Sequence, residues 1–272
     1  MMRALYTAAT GMISEQTNVD TIANNLSNVN TTGFKSARTE FKSLLYQNLQ
    51  AETTSANGET KPVGAQVGLG TRVAATTTMY TQGALNPSEN PTDFAIEGDG
   101  FFAVRSQDGK VYYTRNGNFS WALDAQGRTM LCANDGSPVL DRGGNPILVP
   151  NGVHAEAMTF TQEGQIGYRD NTGNVQLTNT YMAVYQFNNP SGLEKISGGR
   201  LAVTGASGQP MLEGTTAGLS RSKVCQNFLE ASNVQVADEM VNLIIAQRAY
   251  ELNSKAIQTS DSMLDTANNL KR

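Results

Sequence analysis

Hydrophobic residues recur at seven-residue spacing at both ends of the chain. The N-terminal series is Leu5, Met12, Val19 and Leu26, with Ile22 and Val29 each three positions after a member. The C-terminal series is Val236, Leu243, Tyr250, Ile257 and Leu264, joined by Met240, in a stretch from about 234 to 270 that holds no Gly or Pro. Such spacing is typical of amphipathic helices that pack against other helices. We predict two terminal helices that pack on each other or on copies from other subunits.

The ends of these helices carry recognisable stop and start signals. Asn and Thr crowd positions 24 to 32, and Gly33 can supply the left-handed residue that ends a helix. Residues 34–45 then suggest a short extended or helical continuation. At the other end of the chain, Ser232 or Asn233 is the predicted N-cap of the second helix.

Between the helices, residues 64–224 read as β structure. Short apolar or alternating runs lie at 94–96, 101–104, 111–113, 129–131, 147–149 and 181–185. Asp-Gly and Asn-Gly pairs separate them, and these favour tight hairpins because glycine accepts positive φ. The pairs end at Gly100, Gly109, Gly117, Gly136 and Gly152. We predict a mostly antiparallel β domain whose aromatic residues form the core, with a carbohydrate or peptide platform as the alternative.

The predicted fold class is therefore α+β, with N- and C-terminal helices that pair as a coiled-coil-like bundle around a central, mostly antiparallel β domain. We divide the chain into residues 1–45 (first helix and start of an extended arm), 46–63, 64–224 (β domain) and 225–272 (second helix). Residues 46–63 are polar and weakly patterned, as expected of an extended arm or a flexible connector.

Composition and charge narrow the possible functions. Charged residues make up 16% of the 272 residues, and 20 Lys and Arg against 24 Asp and Glu give a formal charge of −4. This balance lacks the basic footprint of a nucleic-acid-binding protein. The single histidine excludes multi-histidine zinc catalysis and leaves little room for a Ser-His-Asp hydrolase. No apolar leader resembling a cleaved signal peptide precedes the first helix, so we expect either a cytoplasmic chain or export by another route.

The sequence gives little evidence for catalytic or metal-binding residues. His154 follows a turn signal without ligand-spaced neighbours, so a surface histidine is expected. Asp93, Glu97 and Asp99 lie close together, but the alternation around them places them on the solvent face or in the turn. Cys132 and Cys225 are 93 positions apart in the sequence, so we expect two buried or partly buried free thiols and not a metal or redox pair. We expect no catalytic site, no metal and no cofactor.

Four ordered motifs resemble the bacterial flagellar rod and hook family. They are ANNLSNVNTTGFK at 23–35, IEGDGFF at 96–102, YTRNGNF at 113–119 followed by Leu123-Asp124, and LEASNV at 229–234 continuing to 256. The resemblance covers essentially the whole chain, and the length and the segment 46–63 most resemble the distal-rod members of the family. One departure is Asn227, where relatives often carry glycine.

The resemblance implies a structural subunit that polymerises helically into a hollow drive shaft, transmits torque from motor to hook and lets export substrates pass. The implied subunit-packing residues are the two helical series given above. The implied rod-straightening stretch includes Tyr46, Gln47, Thr53, Asn57, Pro62 and Val63. Implied partners are copies of itself, proximal-rod subunits, hook or adaptor subunits, ring proteins of the peptidoglycan and outer membrane, and the flagellar export apparatus, without nucleic acid. The implied location is the periplasm-spanning rod of the flagellar basal body, reached without a cleaved signal peptide.

Three alternatives remain at this point. A proximal-rod or hook subunit would share the family and differ in its position along the basal body. A secreted β-rich glycan-binding protein or adhesin would act without the terminal helices. An enzyme is the third alternative, which the scarcity of catalytic residues disfavours.

Overall fold

The computed structural model describes residues 2–50, 64–124, 126–150, 152–170, 174–216 and 218–270. The chain divides into two compact units. The first unit consists of Met1–Ser27, Ala37–Thr78 and Gln235–Arg272, and the second consists of Asn28–Ser36 and Met79–Val234. The predicted fold class is confirmed, because helices stand at both ends of the chain and antiparallel strands lie between them.

Two antiparallel helices dominate the first unit. α1 (Met2–Ser27) has 26 residues and α2 (Val236–Asn269) has 34, which correspond to about 39 and 51 Å. Near one end of the pair, Asn25 Nδ2 lies 3.3 Å from Glu239 Oε1. Further along, a Cβ on Gly11 would lie 2.9 Å from Asn253 Nδ2, so only a glycine fits this close approach without a shift of the Asn253 side chain. The pairing of the terminal helices that their periodicity predicts is therefore present within one chain.

The first unit also contains two antiparallel strand pairs. β1 (Ala37–Ser43) pairs with β4 (Thr71–Thr78), and β2 (Tyr46–Gln50) pairs with β3 (Ala65–Gly68). β1 and β4 contact α1, where Thr39 Oγ1 lies 3.0 Å from Thr21 Oγ1. The continuation expected after Gly33 is thus a strand, and Gly33 has the predicted left-handed φ of 68°.

The prediction of the α2 N-cap was wrong. The helix begins at Val236, and Gln235 precedes it without a side-chain cap. The predicted caps bond elsewhere: Asn233 Oδ1 accepts the Ser36 N–H at 2.8 Å, and Ser232 Oγ accepts the Val234 N–H at 3.3 Å. Their cap-forming oxygens are therefore used in the segment before the helix.

The second unit holds the remaining strands. Its six-stranded sheet has the order β15-β16-β8-β7-β14-β17, a three-stranded sheet has the order β11-β12-β13, and three strand pairs are β9-β10, β6-β18 and β5-β19. The bounds are β5 Leu85–Pro87, β6 Phe94–Glu97, β7 Phe101–Arg105, β8 Val111–Thr114, β9 Phe119–Leu123, β10 Thr129–Ala133, β11 Met158–Phe160, β12 Gln165–Arg169, β13 Val175–Tyr181, β14 Val184–Gln186, β15 Glu194–Lys195, β16 Arg200–Ala202, β17 Met211–Leu212, β18 Lys223–Gln226 and β19 Phe228–Glu230. Single 3-10 turns occur at Ala155–Ala157, Pro190–Gly192 and Ser197–Gly199.

Aromatic residues form the core of this unit, as predicted. β7 is buried on both faces because Phe102 and Val104 point into one hydrophobic cluster while Phe101 and Ala103 point into another. The Phe102 ring packs edge-on against Phe119, with 5.3 Å between centroids. A strand that is covered on both faces reads as a continuous apolar run, as residues 101–104 do.

Two details of the β prediction need correction. Residues 147–149 are not a strand, and only Leu148 among them forms an isolated bridge, to Met130. Gly109 and Gly136 have the positive φ that the turn signals predicted, whereas Gly100 and Gly117 do not. At Gly100 and Gly117, close packing and not positive φ requires glycine. A Cβ on Gly117 would lie 1.7 Å from Phe94 O, and one on Gly100 would lie 2.3 Å from Val184 Cγ1. Asn151, from another predicted turn, lies outside the described residues.

Among the described residues, neither α1 nor α2 has an apolar stretch that is long enough to cross a membrane.

Candidate functional site

Eight of the twelve predicted packing residues are buried or half-buried in the unit that contains the α1–α2 pair. Ile22 is buried, and the half-buried members of both series are Leu5, Met12, Val19, Leu26, Leu243, Ile257 and Leu264. Val236, Met240 and Tyr250 are exposed, and Val29 follows the end of α1 and belongs to the second unit. Two polar residues of the helices, Ser14 and Ser260, are also buried. The structure therefore places most of the seven-residue series in contacts within one chain.

A second group of apolar residues on the helices is not part of that series. On α2, Val241, Ile244, Ile245 and Leu252 are 56–66% exposed, and we call them the outer α2 row. On α1, Met2, Tyr6 and Ile13 are 57–79% exposed, and we call them the outer α1 row. Each row follows the spacing of one helix side. Large apolar residues grouped on a surface in this way mark an interaction site.

The two outer rows lie at different levels along the helix pair. The outer α2 row occupies the N-terminal half of α2. In the C-terminal half Met263 is also 56% exposed, but the exposed residues around it, Lys255, Thr259, Ser262 and Thr266, are polar. Because Gly11 approaches Asn253, the outer α1 row stands beside that C-terminal half. One helix pair thus presents two different apolar surfaces that are offset along its axis.

Asn25 joins three elements of the first unit. Its side chain is 1% exposed, its Nδ2 donates to Ala37 O at 2.8 Å, and its Oδ1 accepts the Ala37 N–H at 2.9 Å. The same Nδ2 lies 3.3 Å from Glu239 Oε1, and burial raises the pKa of that carboxyl while the hydrogen bond from Asn25 opposes the rise. Asn25 therefore fixes the start of β1 against the end of α1 and the first turn of α2. We did not single it out from the sequence, although it belongs to the motif at 23–35.

A buried charge cluster organises the second unit around Glu230. Lys35 Nζ lies 2.6 Å from Glu230 Oε1, and Arg115 Nε lies 3.1 Å from Glu230 Oε2. The three side chains are 1–4% exposed. The Arg115 guanidinium also donates to Gly98 O at 2.7 Å and Gly100 O at 2.5 Å, and Lys35 Nζ donates to Thr81 O at 2.7 Å. Each of the three residues belongs to a different family motif of the sequence. That they lie in such motifs is the only signal in the sequence that could have drawn attention to them.

Burial governs the electrostatics of this cluster. It lowers the pKa of the Lys35 amine below its ordinary value, and the hydrogen bond and charge of Glu230 oppose that change. Two cations share one carboxylate, so removal of Glu230 would leave both without a counter-ion. Breaking a buried pair in this way costs about 3–5 kcal/mol. The arrangement is suited to holding chain segments together.

Residues considered for catalysis lie apart from these features. His154 is exposed beside a 3-10 turn, as expected, and Cys132 and Cys225 are a buried and a partly buried free thiol, also as expected. Asp93 contradicts the expectation of a solvent-facing acid: it is 2% exposed and accepts hydrogen bonds from Ser88 Oγ at 2.5 Å and Asn90 Nδ2 at 3.4 Å. Among the described residues, no group of three or more His, Cys, Asp or Glu could hold a metal ion.

The residues assigned to the rod-straightening stretch fall on β2 or outside the described part. Tyr46 and Gln47 are exposed on β2. Thr53, Asn57, Pro62 and Val63 lie outside the described residues. On the far side of this stretch, the Leu69 N–H donates to Leu45 O at 3.3 Å and the Leu44 N–H donates to Gly70 O at 2.9 Å. The segment from 46 to 68 therefore leaves and rejoins the chain at adjacent points.

Paired terminal helices with exposed apolar rows, and a separate β unit whose chain segments are held by a buried charge cluster, are features of a structural protein and not of an enzyme site. Comparison with known proteins agrees. Residues 5–35 match the family described as flagella basal body rod protein, and residues 95–168 match the flagellar hook protein FlgE/F/G D1 domain. Residues 226–270 match the flagellar basal body rod FlgEFG protein C-terminal family.

Relatives match over the full length of the chain. The flagellar basal-body rod protein FlgG of Borreliella burgdorferi is 45% identical, and the alignment covers 100% of both chains. The proteins of the same name from Agrobacterium fabrum and Bacillus subtilis are 40% and 35% identical, over 99–100% of this chain and 100% of theirs. The chain belongs to the flagellar basal-body rod protein family, which confirms the resemblance found in its motifs.

Proposed function

We propose that this protein is the structural subunit of the flagellar distal rod and that it polymerises helically through its helical unit. The observation that carries the proposal is the pair of outer rows on α1 and α2. Seven large apolar side chains stand more than half exposed on them in the free chain. Family membership supports the rod, and the relatives named FlgG support the distal position.

The offset between the two rows supports a polymer over a closed dimer. A dimer with twofold symmetry would have to join the outer α1 row of each copy to the outer α2 row of the other at the same time, whereas a contact without that symmetry leaves one surface of each kind free at the ends. If the outer α1 row of one copy packs on the outer α2 row of the next, every added copy presents the same two surfaces again. Such a contact gives an open helical assembly.

The assembled rod would be a hollow shaft that spans the periplasm, transmits torque from motor to hook and lets export substrates pass. In this proposal its ends meet proximal-rod subunits and hook or adaptor subunits, and ring proteins of the peptidoglycan and outer membrane surround it. The subunit reaches its place through the flagellar export apparatus. Its role is structural and involves no catalysis, no cofactor and no nucleic acid.

Polymerisation of the purified full chain tests the proposal. Ile245→Asp puts a charge in the outer α2 row, and we expect the variant to remain folded and to lose assembly, because a buried unpaired carboxylate opposes the contact between copies. Sedimentation and electron microscopy report assembly, and circular dichroism reports folding. Thr259→Asp is the matched control, since it adds the same charge to an exposed polar position of the same helix. Normal polymers from Ile245→Asp would overturn the proposal.

A further inference from the structure

Two chain segments that are far apart in sequence meet at Glu230. Residues 28–36 follow α1 in the chain, and residues 228–234 precede α2; we call them the two junction segments. Beyond the ion pair to Lys35, the Gly33 N–H donates to the backbone oxygen of Glu230 at 2.8 Å. Asn233 Oδ1 accepts the Ser36 N–H at 2.8 Å, and the Asn233 N–H donates to Phe34 O at 3.4 Å. The N-terminal junction thus lies directly against the C-terminal junction.

Arg115 and Lys35, the two cations bound to Glu230, belong to different parts of the second unit. Arg115 holds Glu230 from the β structure, because its guanidinium also bonds the carbonyl oxygens of Gly98 and Gly100, which lie between β6 and β7. The carboxylate that Lys35 bonds comes from the C-terminal junction. With a side chain that is 3% exposed, Lys35 cannot exchange this partner for water while it stays in place. Its burial therefore requires that Glu230 is already positioned.

We infer that Glu230 makes the ordering of the N-terminal junction conditional on that of the C-terminal junction, so that the two segments dock and release together. The β structure that carries Arg115 stays folded while they do so. A chain whose residues 228–234 are not yet in place then cannot keep residues 28–36 in place. The fold thereby couples its two junction segments through one carboxylate, independently of any contact between copies.

Hydrogen exchange on the full-length monomer tests this coupling at individual amides. In Lys35→Met we expect faster exchange at Ala231 and Asn233, on the opposite segment, and in Glu230→Gln at Gly33 and Ser36. An increase of about tenfold or more is expected, because Glu230→Gln leaves Lys35 buried without a counter-ion and Lys35→Met removes the only ion pair that the structure describes between the two junction segments. The amides of β7 serve as the internal reference and should keep their protection.

The exposed ion pair between Lys223 and Glu97 provides matched controls. Its Nζ and Oε2 atoms are 3.5 Å apart, and its side chains are 59% and 52% exposed. Lys223→Met and Glu97→Gln change charge in the same way and should leave both junction segments unchanged. The inference fails if each cluster variant accelerates exchange only in its own segment or in neither. It also fails if β7 loses protection together with the segments, because the cluster would then be an ordinary part of the core.

Discussion

At the scale of single residues, Asn227 meets a backbone requirement for which the family resemblance leads us to expect glycine. Its φ is 63°, in the left-handed region, and it is the only residue other than glycine with positive φ in the described part of the chain. Its backbone joins neighbouring turns, since the Asn227 N–H donates to Asp93 O at 2.9 Å and its own oxygen accepts the Ser88 N–H at 2.8 Å. Asparagine tolerates this conformation better than other side chains do. The departure from the family pattern therefore leaves the turn intact.

We expect Asn227→Gly to change the free energy of unfolding by only a few tenths of a kcal/mol, because glycine adopts positive φ freely. Asn227→Val should cost about 1–2 kcal/mol, since a β-branched side chain is strained in the left-handed region. Chemical denaturation of the two variants and the parent measures both values. Equal stability of the glycine and valine variants would show that the backbone at this position is not constrained.

At the scale of elements, the two sides of α2 have separate tasks. Leu243 and Ile244 are neighbours in sequence, but Leu243 is half-buried on the side that faces α1, whereas Ile244 is 56% exposed in the outer α2 row. Consecutive residues of a helix point about 100° apart, so one position can serve the fold while the next serves assembly. The two sides can therefore be tested independently.

Leu243→Ala should lower the stability of the helix pair by about 1–2 kcal/mol, the cost of removing a partly buried leucine side chain. Ile244→Ala should leave the stability of the monomer within about 0.5 kcal/mol, as is usual for exposed positions, and weaken polymerisation. Thermal unfolding followed by circular dichroism, together with the critical concentration for assembly, separates the two effects. The division of tasks is wrong if the two variants exchange these phenotypes.

The seven-residue periodicity predicted the two helices and the sides on which they pack, because residues seven positions apart lie on the same side of a helix. It could not predict the outer rows, since Val241, Ile244 and Ile245 fall outside that repeat and only the burial of other residues reveals them. The start of α2 was misplaced because capping propensity does not show that Asn233 bonds Ser36. Likewise, the ion pair between Lys35 and Glu230 joins positions 195 apart in the chain, and no local pattern encodes a contact of that range.

At the scale of the whole molecule, we expect that the segment from 46 to 68 can be removed without disrupting the strands that flank it. Leu45 and Leu69 are hydrogen-bonded neighbours, and β1 stays paired with β4 beyond them. A chain that joins Leu45 directly to Leu69 should fold and assemble, but its polymers should be curved or less stiff, because it lacks residues 46–63, for which the family resemblance implies a rod-straightening role. Electron microscopy of the polymers measures curvature and persistence length. Straight rods of unchanged stiffness would contradict the role proposed for this segment.

The central claim is that copies of this protein pack through the outer rows of α1 and α2, and hydroxyl-radical footprinting of free and assembled protein tests it most directly. This chemistry labels accessible side chains and reads Met2, Tyr6, Ile245 and Leu252 individually. The account predicts that labelling of these residues falls strongly on assembly, while that of the exposed Lys255 to Thr266 side of α2 changes less. Unchanged labelling of Tyr6 and Ile245 in the polymer would contradict it.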